Sequence, residues 1–136
     1  MAIDPRADDL ERLMTEDPGG PVVMLNLLRF APDGQASYQE YARSTAPFLK
    51  RYGGEVLYAG QGSTALVAEA GQAWDAVLLV RYPSREAFIR MVADPEYRKV
   101  TALRRQALTE AVLQATEPWL SQSPAPDADP GNDPRA

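Results

Sequence analysis

The fold turns on WDAVLLVRYPSREAFIRMVADPEYR, residues 74–98. Residues 74–82 are apolar at both alternating sets of positions, which predicts a strand covered on two sides. Ser84 follows as an N-cap, and Phe88, Met91 and Val92 recur at helical spacing behind it. Asp94-Pro95 restarts the helix, since proline suits a first helical turn. The second piece runs to about residue 107 with Tyr97, Val100 and Leu103 inward.

Upstream, PVVMLNLLRF, residues 21–30, repeats the two-faced pattern and predicts a strand over residues 22–29. Before it, Asp4 and Pro5 read as the cap and first residue of a short helix carrying Leu10, Leu13 and Met14, stopped by Asp17-Pro18-Gly19-Gly20. After it, Pro32-Asp33-Gly34 reads as a turn, and Ser37 with Glu40 as the capping box of a helix. Tyr38, Tyr41, Ala42, Thr45, Phe48, Leu49 and Tyr52 form its stripe, Pro47 should bend it, and Gly53-Gly54 ends it at a left-handed cap. Residues 55–58 and 64–69 read as one strand kinked at residues 59–63, and residues 110–117 as a last strand.

The order β-α-β-β-α-β predicts an α+β, ferredoxin-like sheet with helices on one face. Residues 1–20 form an N-terminal helix and linker on this reading, and residues 21–118 the ferredoxin-like domain. Residues 119–136 form an acidic, proline-rich tail with too little apolar surface to order itself. Both central strands are apolar on their second face as well, which an exposed sheet tolerates poorly. A second copy of the chain is the economical cover. The expectation is therefore a homodimer whose facing sheets enclose a small apolar lumen, with a pocket for a small molecule in each protomer.

Composition narrows the chemistry. A net charge of -5 with scattered basic residues argues against nucleic acid. The chain has no run of about 18 apolar residues, and its first sixteen residues are polar and acidic, so the expectation is a cytoplasmic protein without membrane contact. Cysteine and histidine are both absent, which removes thiolate and imidazole metal ligands, a cysteine nucleophile, the commonest general base near neutral pH and the usual axial ligand of haem. No metal and no cofactor are expected. Walker, dinucleotide-fingerprint and GxSxG motifs are also missing.

Six positions draw attention as ligand contacts, and Asp75 as the best available proton acceptor, by elimination. Asn26 is the polar exception in an apolar strand and must bond either a ligand or nearby backbone. Arg29 and Arg81 close the first and third strands; read as running parallel, these would gather both guanidinium groups at one sheet end around an anion, unless each pairs with a surface acid such as Glu86 or Asp33. Trp74 and Asp75 open the third strand, either as a wall beside a carboxylate base or as core and turn residues. Of the six tyrosines, Tyr41 and Tyr58 are best placed to line a pocket, or equally to pack.

MLNLLRF, RYGGEVLYAG, WDAVLLVRYPSREAF and DPEYR together resemble the DUF1330 (domain of unknown function) family of the dimeric α/β-barrel superfamily, over about residues 22–118. The resemblance implies a ferredoxin-like fold and a dimeric barrel. It brings no reaction that transfers residue by residue, because the superfamily includes cofactor-independent monooxygenases, haem enzymes and muconolactone-isomerase-like proteins. The missing histidine counts against the haem branch. The resulting expectation is a homodimer that binds a small organic metabolite. In a catalytic version, Asp75 accepts a proton, Asn26 and Arg81 hold an oxygen, and Tyr41, Tyr58 and Trp74 shape the cavity. A non-enzymatic interaction module with a packed lumen and a cofactor-independent oxygenase are the alternatives.

Overall fold

The computed structural model describes residues 4–119. Its elements are α1 (Ala7–Thr15), β1 (Val22–Phe30), α2 (Gly34–Tyr52), β2 (Glu55–Gln61), β3 (Ala76–Tyr82), α3 (Arg85–Ala93), α4 (Pro95–Ala107) and β4 (Leu108–Thr116). The strands make one antiparallel sheet in the order β2-β3-β1-β4. This is the α+β, ferredoxin-like arrangement that the element order predicts.

Side-chain parity decides what each strand serves. On β1, Val22, Met24 and Leu28 are buried against the helices, as are Val80 and Tyr82 on β3. The core clusters contain no odd-numbered residue of β1 or β3. Leu25, Leu27, Val77 and Leu79 therefore stand on the open face, half-buried. Ser84 caps α3 by accepting the Ala87 N–H at 3.0 Å, and Asp94 caps α4 by accepting the Glu96 N–H at 2.8 Å. Gly53 takes the left-handed φ of 80° at the end of α2.

Several expected boundaries move, each for a local reason. α1 begins at Ala7 rather than at Pro5, with the Arg6 N–H held by the Asp9 carboxylate at 3.1 Å. α2 begins at Gly34, a turn before Ser37, so the expected capping box does not form. Asp33 is left-handed at φ 59°, and Gly34 lies where a Cβ would strike the Ala107 carbonyl oxygen. The strand expected through residues 64–69 ends at Gln61, where the Gly62 N–H bonds to the Asp75 carbonyl at 2.8 Å and closes the ladder. Residues 62–75 are a loop with Leu66 and Val67 exposed at 91% and 97%. β3 starts at Ala76 instead of Trp74, and β4 at Leu108, directly off α4. The expected disordered tail lies outside the described residues, Trp119 apart.

The parallel reading of the first and third strands is overturned. β1 and β3 are antiparallel, with Val23 opposite Arg81, so Arg29 and Arg81 stand at opposite ends of the pair. The physical reason lies in the split βαβ: β3 returns through a hairpin from β2 and is inserted between two strands of the opposite direction. None of the described helices is long and apolar enough to cross a membrane.

Candidate functional site

A cavity of about 380 Å³ lies between the helix layer and the helix-covered face of the sheet. The sheet supplies its floor through Met24, Asn26, Leu78, Val80 and Leu113. α2 contributes Tyr38, Tyr41 and Thr45, α3 contributes Phe88 and Met91, and α4 contributes Tyr97 and Arg104. The stripe of α2 faces this room with the rings of Tyr38 and Tyr41. Tyr38 and Tyr41 lie 5.4 Å apart between centroids, and Phe48 meets Tyr97 edge-on at 5.7 Å.

The polar groups of this cavity are mostly donors. Tyr41 and Tyr97 share a hydrogen bond between their hydroxyls at 2.5 Å, so one of the two phenolic protons remains for another acceptor. Burial pushes the Tyr38, Tyr82 and Tyr97 phenols far above their ordinary value, with the neighbouring tyrosine adding to it for each. They stay protonated at any physiological pH and cannot serve as bases there. Thr45 is 6% exposed and its hydroxyl has no hydrogen-bond partner among the described residues. The Asn26 amide donates one long bond, 3.4 Å, to the Met24 carbonyl.

Arg104 is the buried charge of the cavity, 6% exposed and bonded through Nη1 to Asp4 Oδ1 at 3.0 Å. Arg105 reaches the other oxygen of the same carboxylate at 3.3 Å. Beside the cavity, Asp94 accepts hydrogen bonds from Tyr52 Oη at 2.7 Å and Arg51 Nη1 at 2.9 Å. Together with the Glu96 N–H these bonds hold its carboxyl below the usual range, the Tyr52 hydroxyl most strongly. Among the described residues no group of three or more acidic side chains is gathered to hold a metal ion.

Of the seven positions singled out from the sequence, Asn26 and Tyr41 come together in this cavity. The other five lie elsewhere. Arg29 bonds Glu110 at 2.8 Å and the carbonyls of Ala73 and Gly71 at 2.6 and 2.8 Å, with its guanidinium 4.5 Å over the Trp74 ring. Asp75 accepts the Phe30 N–H at 2.9 Å. These three residues clasp the 62–75 loop to the end of β1. Arg81 and Tyr58 belong to the open face, where Tyr58 is 55% exposed. The cavity sits behind the sheet, within one chain, a different place from the lumen expected between two sheets.

Thr45, Tyr97 and Arg104 also line the cavity, though no motif in the sequence marks them as site residues. Thr45 and Tyr97 were visible as inward positions of helical stripes. Arg104 follows the inward Tyr97 and Val100 by seven and four residues, so helical spacing alone turns its charge toward the core.

The fold and site define a ferredoxin-like α+β protein with a pocket between sheet and helices. The chain belongs to the family described as domain of unknown function (DUF1330), whose model matches residues 27–116. A protein of unknown function from Rhodopseudomonas palustris is 33% identical, aligned over 88% of this chain and 98% of its own, with a TM-score of 0.79. The fold is also shared with SnoaB, a cofactor-independent oxygenase from Streptomyces nogalater, at 16% identity over 77% of this chain and 99% of that one (TM-score 0.55). A dimeric ferredoxin-like protein of unknown function from Thermobifida fusca matches at 14% identity over 74% of this chain and 93% of that one (TM-score 0.50). No curated protein matches.

Proposed function

We propose that this protein is a homodimer that binds a small organic molecule in the cavity behind each sheet. The observation that carries the reading is the cavity itself: about 380 Å³, walled mainly by apolar and aromatic side chains, with a few converging polar groups in Asn26, Thr45, the Tyr41–Tyr97 pair and Arg104. That balance of apolar wall and sparse polar contacts is what small-molecule sites have. An interaction module packed solid leaves the buried Thr45 hydroxyl without a use.

Dimerisation is supported by the open face, where Leu25, Leu27, Val77 and Leu79 form an apolar surface that no described helix covers. A ferredoxin-like protein from Thermobifida fusca that shares the fold is described as dimeric, which supports the reading. Native mass spectrometry of the full chain, purified without added ligand, is the test. Two subunits and a co-purifying small molecule are expected. A monomer at micromolar concentration refutes the dimer, and failure of a broad metabolite panel to shift the melting temperature refutes the pocket.

A further inference from the structure

Charge in the cavity wall runs against charge in the chain. The whole sequence carries a net -5, yet the cavity is lined by Arg98, Arg104 and Arg105 with Asp4 as its single carboxylate among the described residues. Arg104 lies close enough to the phenols to oppose the upward shifts of Tyr38 and Tyr97. A guanidinium buried to this degree is costly without an anion beside it. Here the anion is Asp4, which bridges Arg104 and Arg105 at 3.0 and 3.3 Å from a segment outside the sheet and helices of the domain. Its side chain remains 36% exposed, so the contact is open to water and to exchange.

Resting on the pocket reading above, we infer that the ligand is an aromatic carboxylic acid, and that Asp4 is the chain's own occupant of its carboxylate seat. The entering carboxylate takes the two guanidinium groups from Asp4, gaining charge-assisted bonds of the same kind. Its ring lies among Tyr38, Tyr41, Phe88 and Met91. The unpartnered Thr45 hydroxyl, buried in the same wall, serves a hydroxyl or carbonyl on that ring. Asp4 thereby sets affinity: it bonds both arginines when the cavity is empty and competes with every acid that enters.

The test is calorimetric titration of the full chain with benzoate, 4-hydroxybenzoate, cinnamate and 2-naphthoate, each beside its primary amide. At least one acid is expected to bind roughly tenfold or more tightly than its amide. Asp4→Asn, which removes the competitor from an exposed segment, should raise acid affinity roughly three- to tenfold and leave the amide unchanged. Arg105→Gln, at a half-exposed position, should lower acid affinity by a similar factor. Amides that bind as well as acids, or acid affinity unmoved by Asp4→Asn, overturn the inference while leaving the pocket standing. Silence from both series overturns the inference, and only failure of the broader metabolite panel removes the pocket with it.

Discussion

Replacing Asn26 by leucine should make the protein more stable and its cavity less capable. Asn26 sits on the central strand with Met24 and Leu28 as same-face neighbours and Leu78 and Leu113 directly across. Its amide makes one bond, at the 3.4 Å limit of a useful interaction, and its oxygen accepts none among the described residues. An amide held in apolar surroundings with so little compensation costs about 1–2 kcal/mol. Leucine has nearly the same branching and volume, so it refills the site without a cavity or a clash. The net expectation for Asn26→Leu is a gain of about 1 kcal/mol, or a rise of roughly 3–6 °C in melting temperature for a domain of this size. Urea denaturation with parallel ligand titration reads both effects, and ligand affinity should fall about tenfold as the polar contact goes. A loss of stability of about 1 kcal/mol or more would refute the reasoning, because it would make the amide a structural fixture of the sheet.

Three further outcomes follow from the geometry. Gly34→Ala should cost about 2–3 kcal/mol by urea denaturation, because the new Cβ meets the Ala107 carbonyl oxygen, a backbone atom that also holds the Ala31 N–H at 2.8 Å; exposed Gln35→Ala next to it should be near neutral. Asp94→Asn should lower the urea midpoint at neutral pH, and the gap to the parent should shrink as pH falls below the ordinary value of 3.8. The folded-state value lies lower still, so the contribution of this carboxylate is fully present above 3.8 and disappears as the pH drops through the folded value. Arg29→Ala should speed hydrogen exchange at the Gly62 and Asp75 amides, whose loop loses its bonds at Gly71 and Ala73, while amides of α2 keep their protection.

What could be read in advance was what depends on period and on local caps. The two-faced runs of β1 and β3, the stripe of α2, Ser84, Asp94-Pro95 and Gly53 all carry their conformation in neighbouring residues, and all are in place. Tyr41 and Asn26 reached the cavity for the same reason: one is an inward stripe position and the other a polar residue that burial makes conspicuous. What failed is long-range. Arg29 and Asp75 look reactive in sequence, but their partners, Glu110 and the Phe30 N–H, are 81 and 45 residues away. Strand direction, which separates Arg29 from Arg81, is a property of the whole sheet. The helix start at Gly34 depends on contact with Ala107, which no capping pattern announces.

Alternation along β1 has an evolutionary consequence. Met24 and Asn26 line the cavity while Leu25 and Leu27 stand on the open face, so under the proposed function one nine-residue segment serves two duties through interleaved alphabets. On that proposal, substitution at Leu25 or Leu27 would retune assembly while the letters at Met24 and Asn26 stay fixed, and ligand preference would drift in the opposite fashion. A lineage of dimers built as proposed could in this way exchange its small molecule many times without dissolving its quaternary arrangement. An insertion or deletion of a single residue in this strand would scramble both duties together.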